Sequence, residues 1–301
     1  MTESSIPTEI HIVGGIDDRY AQHLGVTFAS ILANVSPGIT VHLYVLSAAL
    51  SLDNRQRLEK TAVDLGASIR FLTVDASLFD HLPITGHINK AMYLRLAIPD
   101  TLPAHVEKAI YLDSDIVVTE NIAKLWSTDI GQFAVGAVHD EFASYRCRSL
   151  SLPEGQYFNS GVMLMNLSRW RTESIGAKVL AYVAGRGRTL HFPDQDALNA
   201  VLAHDWLELP STWNADMKYW TSEKPPAIIH YTDVCKPWSR ECRHRFKGEY
   251  YRYLRLTEWR SFKPTINWKV VGIQIIRRIK IAIKHVIPNR ILSAIKGRVT
   301  G

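Results

Sequence analysis

The hydrophobic positions of the chain change period along its first third. Glu9–Gly15 (EIHIVGG) is a short β-branched run. From Arg19 to Asn34 the apolar residues recur at helical spacing until Ser36-Pro37-Gly38 stops them. Thr40–Leu46 (TVHLYVL) predicts a second strand. Ser51–Gly66 predicts a helix with Ser51 or Asp53 near its N-cap, and Ser68–Val74 predicts a third strand. Strand and helix in alternation imply right-handed crossovers and a largely parallel sheet. Such sheets bind ligands beyond the carboxyl ends of their strands. Two places fit that description: Gly14-Gly15-Ile16-Asp17-Asp18 after the first strand, and Asp113-Ser114-Asp115 within the apolar run Ala109–Val118 (AIYLDSDIVV).

Composition adds scale and compartment. The chain has 301 residues, 47% hydrophobic and 21% charged, so it can bury a large core and is not disordered. Three cysteines, Cys147, Cys235 and Cys242, without CxxC spacing, build neither a disulfide framework nor a zinc site and fit a reducing compartment. MTESSIPTEIHIV lacks the basic and apolar regions of a signal peptide, and no stretch of about 20 apolar residues spans a bilayer. The chain is therefore expected in the cytoplasm, soluble or lying on a membrane. The net charge of +6 is uneven, because Ser261–Gly301 holds nine basic residues and no acidic one. Residues 1–260 keep 26 basic and 29 acidic groups. The division expected is a catalytic body at 1–260 and a basic tail at 261–301.

Asp113 and Asp115 can converge on one cation if the strand ends or bends between them. Two carboxylates leave a hard divalent ion open positions for substrate phosphates, and the ion removes their mutual repulsion. The opposing reading is a turn with solvated acids, against which the apolar runs on both sides argue. A second enzymatic reading is a haloacid-dehalogenase-type phosphatase with Asp113 as nucleophile, since YLDSDIVV fits that pattern. Against it, the strand comes late in the order and no later acidic pair suits that metal site.

The chain resembles glycosyltransferase family eight, the retaining group that includes glycogenin-like enzymes and bacterial lipopolysaccharide galactosyl- and glucosyltransferases. Six strings carry the resemblance in family order: IVGGIDDRY, AMYLRLAIP (Ala91–Pro99), YLDSDIVV, YFNSGVMLMNLSRWR (Tyr157–Arg171), FPDQDALN (Phe192–Asn199) and HYTDVCKPW (His230–Trp238). The resemblance implies a GT-A fold, an α/β architecture with a Rossmann-like, mixed, mostly parallel sheet flanked by helices. It implies a UDP-sugar donor and a manganese ion, with magnesium as the alternative, held by Asp113, Asp115 and His230. Around the donor it places Gly15, Asp17, Tyr20, Arg95, Ser114, Asp140, Asn159, Ser160 and Gly161, the last three expected as a turn. Lys236 would stabilise the departing diphosphate. Asp194 would contact the donor sugar and Gln195 would lie near the anomeric carbon. An amide is a poor nucleophile there, so a front-face reaction is implied rather than double displacement. The bland reading of Asp194-Gln195-Asp196 is a helix start with Asp194 as N-cap. Two departures are Arg19, where relatives often have Asn, and Asp233, where many have Gly.

Within Trp268–Val286, Ile275, Ile276, Ile279, Ala282, Ile283 and Val286 share one face of a helix, and Lys269, Arg277, Arg278, Lys280 and Lys284 the other, before Pro288. Such a basic amphipathic appendage suits an anionic leaflet, or else packs on the body with its basic face in water. Nucleic acid is not an expected partner, as no binding module for it appears. The function expected is transfer of glucose or galactose from UDP-glucose or UDP-galactose to a lipid-linked oligosaccharide such as a lipopolysaccharide core. The alternatives are the phosphatase and an inactive nucleotide-sugar-binding protein at the membrane.

Overall fold

A computed structural model describes residues 8–83, 90–215, 217, 220–273, 275–276 and 279. The chain runs β1 (Glu9–Gly15), α1 (Ala21–Asn34), β2 (Thr40–Ser47), α2 (Leu52–Asp64), β3 (Ser68–Thr73) and a 3-10 helix at Lys90–Ala97. It continues with α3 (Ile98–Thr101), β4 (Lys108–Leu112), β5 (Ile116–Val118), α4 (Ala123–Trp126), β6 (Val135–His139), α5 (Arg146–Leu150) and β7 (Phe158–Asn166). Then follow α6 (Leu167–Thr172), α7 (Ile175–Arg186), α8 (Pro193–Val201), β8 (Trp206–Glu208), β9 (Ile228–His230) and α9 (Lys247–Leu254). The first five elements match the hydrophobic periods closely. Ser51 caps α2, its hydroxyl accepting from the Asn54 amide at 3.3 Å.

Seven strands form one sheet in the order β3-β2-β1-β4-β7-β6-β8. The pairs β1–β2, β2–β3, β1–β4 and β6–β8 are parallel, whereas β7 runs antiparallel to both β4 and β6. The fold is the mixed, mostly parallel α/β architecture expected. The reversal at β7 matters for function. It brings the start of β7 beside the carboxyl ends of β4 and β6, so residues from three strands meet at one edge.

Two compact units divide the chain. One comprises Met1–Thr232 and Gly248–Ser261, the other Asp233–Lys247 and Phe262–Gly301. In the first, Tyr93, Tyr111, Tyr157, Phe158 and Trp170 are fully buried in one core with Met163 and Met165 of β7. Trp170 satisfies its indole N–H on the Ala134 carbonyl at 2.9 Å, the partner a buried tryptophan needs.

Two expectations change. The acids of the Asp113-Ser114-Asp115 string do sit on a turn, because β4 ends at Leu112 and β5 leaves the main sheet to pair with β9. They are nonetheless largely shielded from solvent, the Asp113 and Asp115 side chains being 25% and 16% exposed. The apolar runs on both sides are two buried strands of different sheets. Asn159, Ser160 and Gly161 are not a turn but the first residues of β7, whose pairing with β6 shifts register between Gly136 and Val138.

β5 pairs with β9 along one edge, and α1 serves its other edge with side chains. Thr27 Oγ1 donates to the Ile116 carbonyl at 2.8 Å, Ser30 Oγ accepts from the Val118 amide at 2.9 Å, and Asn34 donates to the Val118 carbonyl at 3.1 Å. Backbone groups that lack a strand neighbour thus find partners on one helix face. Thr27→Val keeps the shape but removes that donor. Urea unfolding should show a loss of about 1–3 kcal/mol from the stranded buried carbonyl, and an unchanged midpoint would refute the role given to α1.

In the second unit, residues 268–273, 275–276 and 279 are helical, and Trp268, Ile275, Ile276 and Ile279 are exposed. Arg277, Arg278, Lys280, Ala282, Ile283, Lys284, Val286 and Pro288 of the predicted amphipathic helix lie outside the described residues. Among the described residues no helix is long and apolar enough to cross a membrane.

Candidate active site

The Asp113 amide donates to the Gly161 carbonyl at 2.8 Å, just past the last paired residues of β4 and β7, Leu112 and Val162. The Tyr231 amide donates to the Asp115 carbonyl at 3.0 Å, which fixes the second acid beside β9. Asp113, Asp115 and His230 then lie with ligand atoms within 4.8 Å of one another, and among the described residues they are the group able to hold a metal ion.

The imidazole shows why a cation belongs there. His230 Nδ1 is 2.9 Å from Asn214 Oδ1, and the Asn214 amide nitrogen donates to Asn159 Oδ1 at 2.9 Å. With that amide orientation Nδ1 carries the proton, leaving Nε2 to face Asp115 at 3.2 Å and Asp113 at 3.9 Å. A divalent ion held between Nε2 and the two carboxylates would relieve the repulsion of the acids. The donor set of two carboxylates and one imidazole suits a divalent ion. Gly161 keeps the space open: a Cβ there would lie 2.3 Å from His230 Cε1 and 2.8 Å from Asp113 Oδ2. The residues present therefore fit a metal. Asn214 was not legible as part of this centre, since STWNADM carries no spacing that points to it.

Arg95 is not a helix-surface residue but is 6% exposed. Its guanidinium donates to Asp113 Oδ1 at 2.8 Å and to Ser160 Oγ at 2.7 Å, and its Nε lies 3.3 Å from Asp194. Burial alone would lower its pKa; Asp113, then Tyr111, Asp194 and Asp115 outweigh that and raise it. Arg95 thus stays charged and pulls two separate acids into one cluster. The Tyr111 hydroxyl donates to Asp113 at 2.7 Å, beneath a guanidinium that sits 4.7 Å from its ring. Burial, only partly countered by Arg95, pushes the Asp194 carboxyl above the usual carboxylate range.

A second polar cluster joins residues far apart in sequence. Asp140 follows β6, and its Oδ2 accepts from Asn159 at 3.1 Å and from the Gln195 amide at 3.0 Å. Gln195 Oε1 in turn accepts from the Ser160 amide at 3.0 Å. Asp194 is not the N-cap of α8, which starts at Pro193 with Phe192 in the cap position and no side-chain cap. The capping work falls to Asp196, fully buried, which accepts from the His191 and Phe192 amides at 2.8 and 3.2 Å. Asp196 also takes the Tyr157 hydroxyl at 2.7 Å and Arg146 at 2.8 Å. That network makes the start of α8 a rigid mount for Asp194 and Gln195.

The first loop is arranged differently. Asp17 caps the short helix Asp18–Tyr20 and pairs with the exposed Arg19 at 2.7 Å, while Tyr20 stands edge-on to His23. Gly14 and Gly15 make room for Leu24 and Leu94, whose atoms would meet their Cβ positions at 2.4 and 3.1 Å. Ser114 offers its carbonyl to Thr27. Lys236 belongs to the second unit, in a turn where its carbonyl accepts from the Ser239 amide at 3.0 Å. The site residues brought together within the first unit are therefore Arg95, Asp113, Asp115, Asp140, Asn159, Ser160, Gly161, Asp194, Gln195 and His230.

Comparison with known proteins agrees with this geometry. The family model for glycosyl transferase family 8 matches residues 11–242. General stress protein A of Bacillus subtilis (strain 168) is 36% identical over 279 residues, covering 86% of this chain and 98% of that protein. Lipopolysaccharide 1,2-glucosyltransferase of Escherichia coli (strain K12) is 26% identical over 272 residues, 85% of this chain and 80% of that one. Among solved structures, the galactosyltransferase LgtC in complex with donor and acceptor sugar analogs superposes with a TM-score of 0.74 at 27% identity, covering 83% of this chain and 96% of that chain. A mixed sheet with an acid cluster at the ends of its strands, matched in this way, defines a GT-A glycosyltransferase. The chain belongs to glycosyl transferase family 8. It is an enzyme of glycosyl transfer, and the phosphatase reading of Asp113 gives way to that membership.

Gly161→Ala should weaken binding of Mn²⁺, followed by isothermal titration, by on the order of a hundredfold, because the new methyl group enters the space between His230 and Asp113. Unchanged Mn²⁺ affinity in a folded variant would refute the cradle.

Proposed function

We propose that this chain is a retaining hexosyltransferase that uses a divalent ion, Mn²⁺ ahead of Mg²⁺, to move glucose or galactose from a UDP-sugar to a saccharide acceptor. The observation that carries the reading is the Asp113–Asp115–His230 cluster around the space kept by Gly161. An imidazole among the ligands favours manganese over magnesium. The bound ion would neutralise the diphosphate and stabilise it as it departs. In this reading Asp113, Asp115 and His230 hold the ion, and Lys236 adds a point charge to the leaving diphosphate. Gly15, Asp17 and Tyr20 bind the nucleoside, with Ser114 beside it. Arg95 fixes Asp113 and Asp194, so that the latter is held ready for a sugar hydroxyl. Asp140, Asn159, Ser160 and Gly161 line the hexose.

Gln195 bears on the mechanism. Both ends of its amide have partners, Asp140 and Ser160, so the group is oriented rather than mobile. A fixed amide can stabilise oxocarbenium-like charge but cannot readily form a covalent glycosyl intermediate, which supports a front-face displacement with the departing phosphate receiving the acceptor's proton.

The acceptor we infer is a lipid-linked oligosaccharide, with the lipopolysaccharide core as its type, since a glucosyltransferase of that class is similar to this chain over most of its length. Membrane association through the basic tail fits such an acceptor. The exposed Ile275, Ile276 and Ile279, each more than half exposed, supply the apolar face and Lys269 begins the basic one.

Two measurements test these statements. UDP release from a panel of UDP-sugars should require Mn²⁺, vanish in EDTA, and fall on the order of a hundredfold or more in Asp115→Asn. Absence of metal-dependent release with every sugar, slow donor hydrolysis included, would sink the reading. Separately, the triple change of Ile275, Ile276 and Ile279 to Glu should abolish sedimentation with anionic liposomes while leaving donor hydrolysis intact, and equal sedimentation would remove the membrane from the account.

A further inference from the structure

The second compact unit carries a chemistry that the transfer reaction does not use. Cys235 and Cys242 have six residues between them, and neither is in a disulfide. Two successive turns fold the segment back on itself: the Ser239 amide donates to the Lys236 carbonyl at 3.0 Å, and the Cys242 amide to the Ser239 carbonyl at 3.2 Å. As a result Cys242 Sγ reaches Cys235 itself, donating to its carbonyl at 3.1 Å. Lys247 pins the far side, its Nζ donating to the carbonyls of Ser239, Arg240 and Cys242 at 2.7, 3.3 and 3.2 Å. Two cysteines already in contact on a clamped turn need little rearrangement to join. Between them, directly after Cys235, stands Lys236.

We propose that Cys235 and Cys242 form a dithiol modification site that a low-molecular-weight disulfide converts into an intramolecular disulfide, fixing the loop that carries Lys236. Cys235 is the more exposed of the two, while Cys242 is 6% exposed. The Cys235 thiol loses its proton and attacks one sulfur of the external disulfide, expelling a thiolate and leaving a mixed disulfide. Cys242, deprotonated in turn, attacks the Cys235 sulfur and expels the second thiolate. Two protein thiols are oxidised to one disulfide, and the external disulfide is reduced to two thiols that take up the two protons. Burial, with the Cys242 thiol and the carboxylates of Glu241 and Asp233 adding to it, pushes the Cys235 thiol up to about 12. Thiolate is therefore scarce at neutral pH, and the pair answers a sustained oxidising poise rather than a brief pulse. Locking the turn would restrict the backbone segment that carries Lys236. That effect on activity rests on the proposed role of Lys236 at the diphosphate, whereas the modification itself does not.

Incubation of the full-length protein with glutathione disulfide, alkylation with iodoacetamide and peptide mass mapping decide the point. The expected product is a crosslink between the peptides bearing Cys235 and Cys242, reversed by dithiothreitol, with Cys147 still alkylated. Cys242→Ser, shown to be folded by an unchanged melting temperature, should stop at the mixed disulfide on Cys235, and Cys235→Ser should give no crosslink. Cys242 remaining alkylatable in the native sequence, or a crosslink through Cys147, overturns the site. Oxidised protein should also release UDP on the order of tenfold more slowly, with Cys235→Ser insensitive. A crosslink with no such change overturns control through Lys236. If the reduced protein releases UDP from no donor, the transferase reading fails while the thiol map still decides the modification.

Discussion

Like charges gathered at one sheet edge set the terms for the rest of this molecule. Two carboxylates about 4 Å apart repel by roughly 4 kcal/mol at the effective dielectric of a partly buried site, and here Arg95 draws Asp113 and Asp194 together while Asp115 stands close by across His230. Arg95 spends its fork on Asp113, Ser160 and Asp194. One cation does not balance three anions, so the fold itself leaves a deficit of positive charge at the place where β4 ends. A metal ion held between Asp113, Asp115 and His230 would fill that deficit.

Every neighbouring feature follows from holding those acids still. β4 stops at Leu112, β7 runs back beside it, and the switch from parallel to antiparallel pairing opens the crevice in which acids from β4 and from the start of α8 meet. α1 substitutes side-chain hydroxyls and an amide for a missing strand along β5. Asn214 sets the His230 ring so that its other nitrogen turns to the carboxylates. Asp196, with Arg146 and Tyr157, does for α8 what an ordinary N-cap would do, leaving Asp194 and Gln195 free of capping duty.

The charge distribution separates the tasks of the two units. The first unit is acidic and draws its positive charge locally from arginines and from the ion it can hold. The second holds Lys236, the basic helix with its exposed isoleucines, and the thiol pair. A chemical change confined to Cys235 and Cys242 would leave Asp113, Asp115 and His230 covalently untouched.

Much of this was legible in the chain alone. Local periodicity determined β1, α1, β2, α2 and β3 to within about two residues, because each buries one face and that face repeats at the spacing of its element. Asp113 and Asp115 were legible as a string at a strand end, and His230 through the family resemblance. The strings could not show that Asn159-Ser160-Gly161 is a strand rather than a turn, since small polar residues suit both and only pairing with β4 and β6 chooses. Nor could they show that the apolar residues after Asp115 begin a second sheet, that Asp196 rather than Asp194 caps α8, or that Asn214 supports His230. Those facts depend on partners up to 114 residues away along the chain, as Ile116 opposite His230 shows. Sequence determines what each segment prefers; only tertiary contact decides which buried polar group each side chain must satisfy.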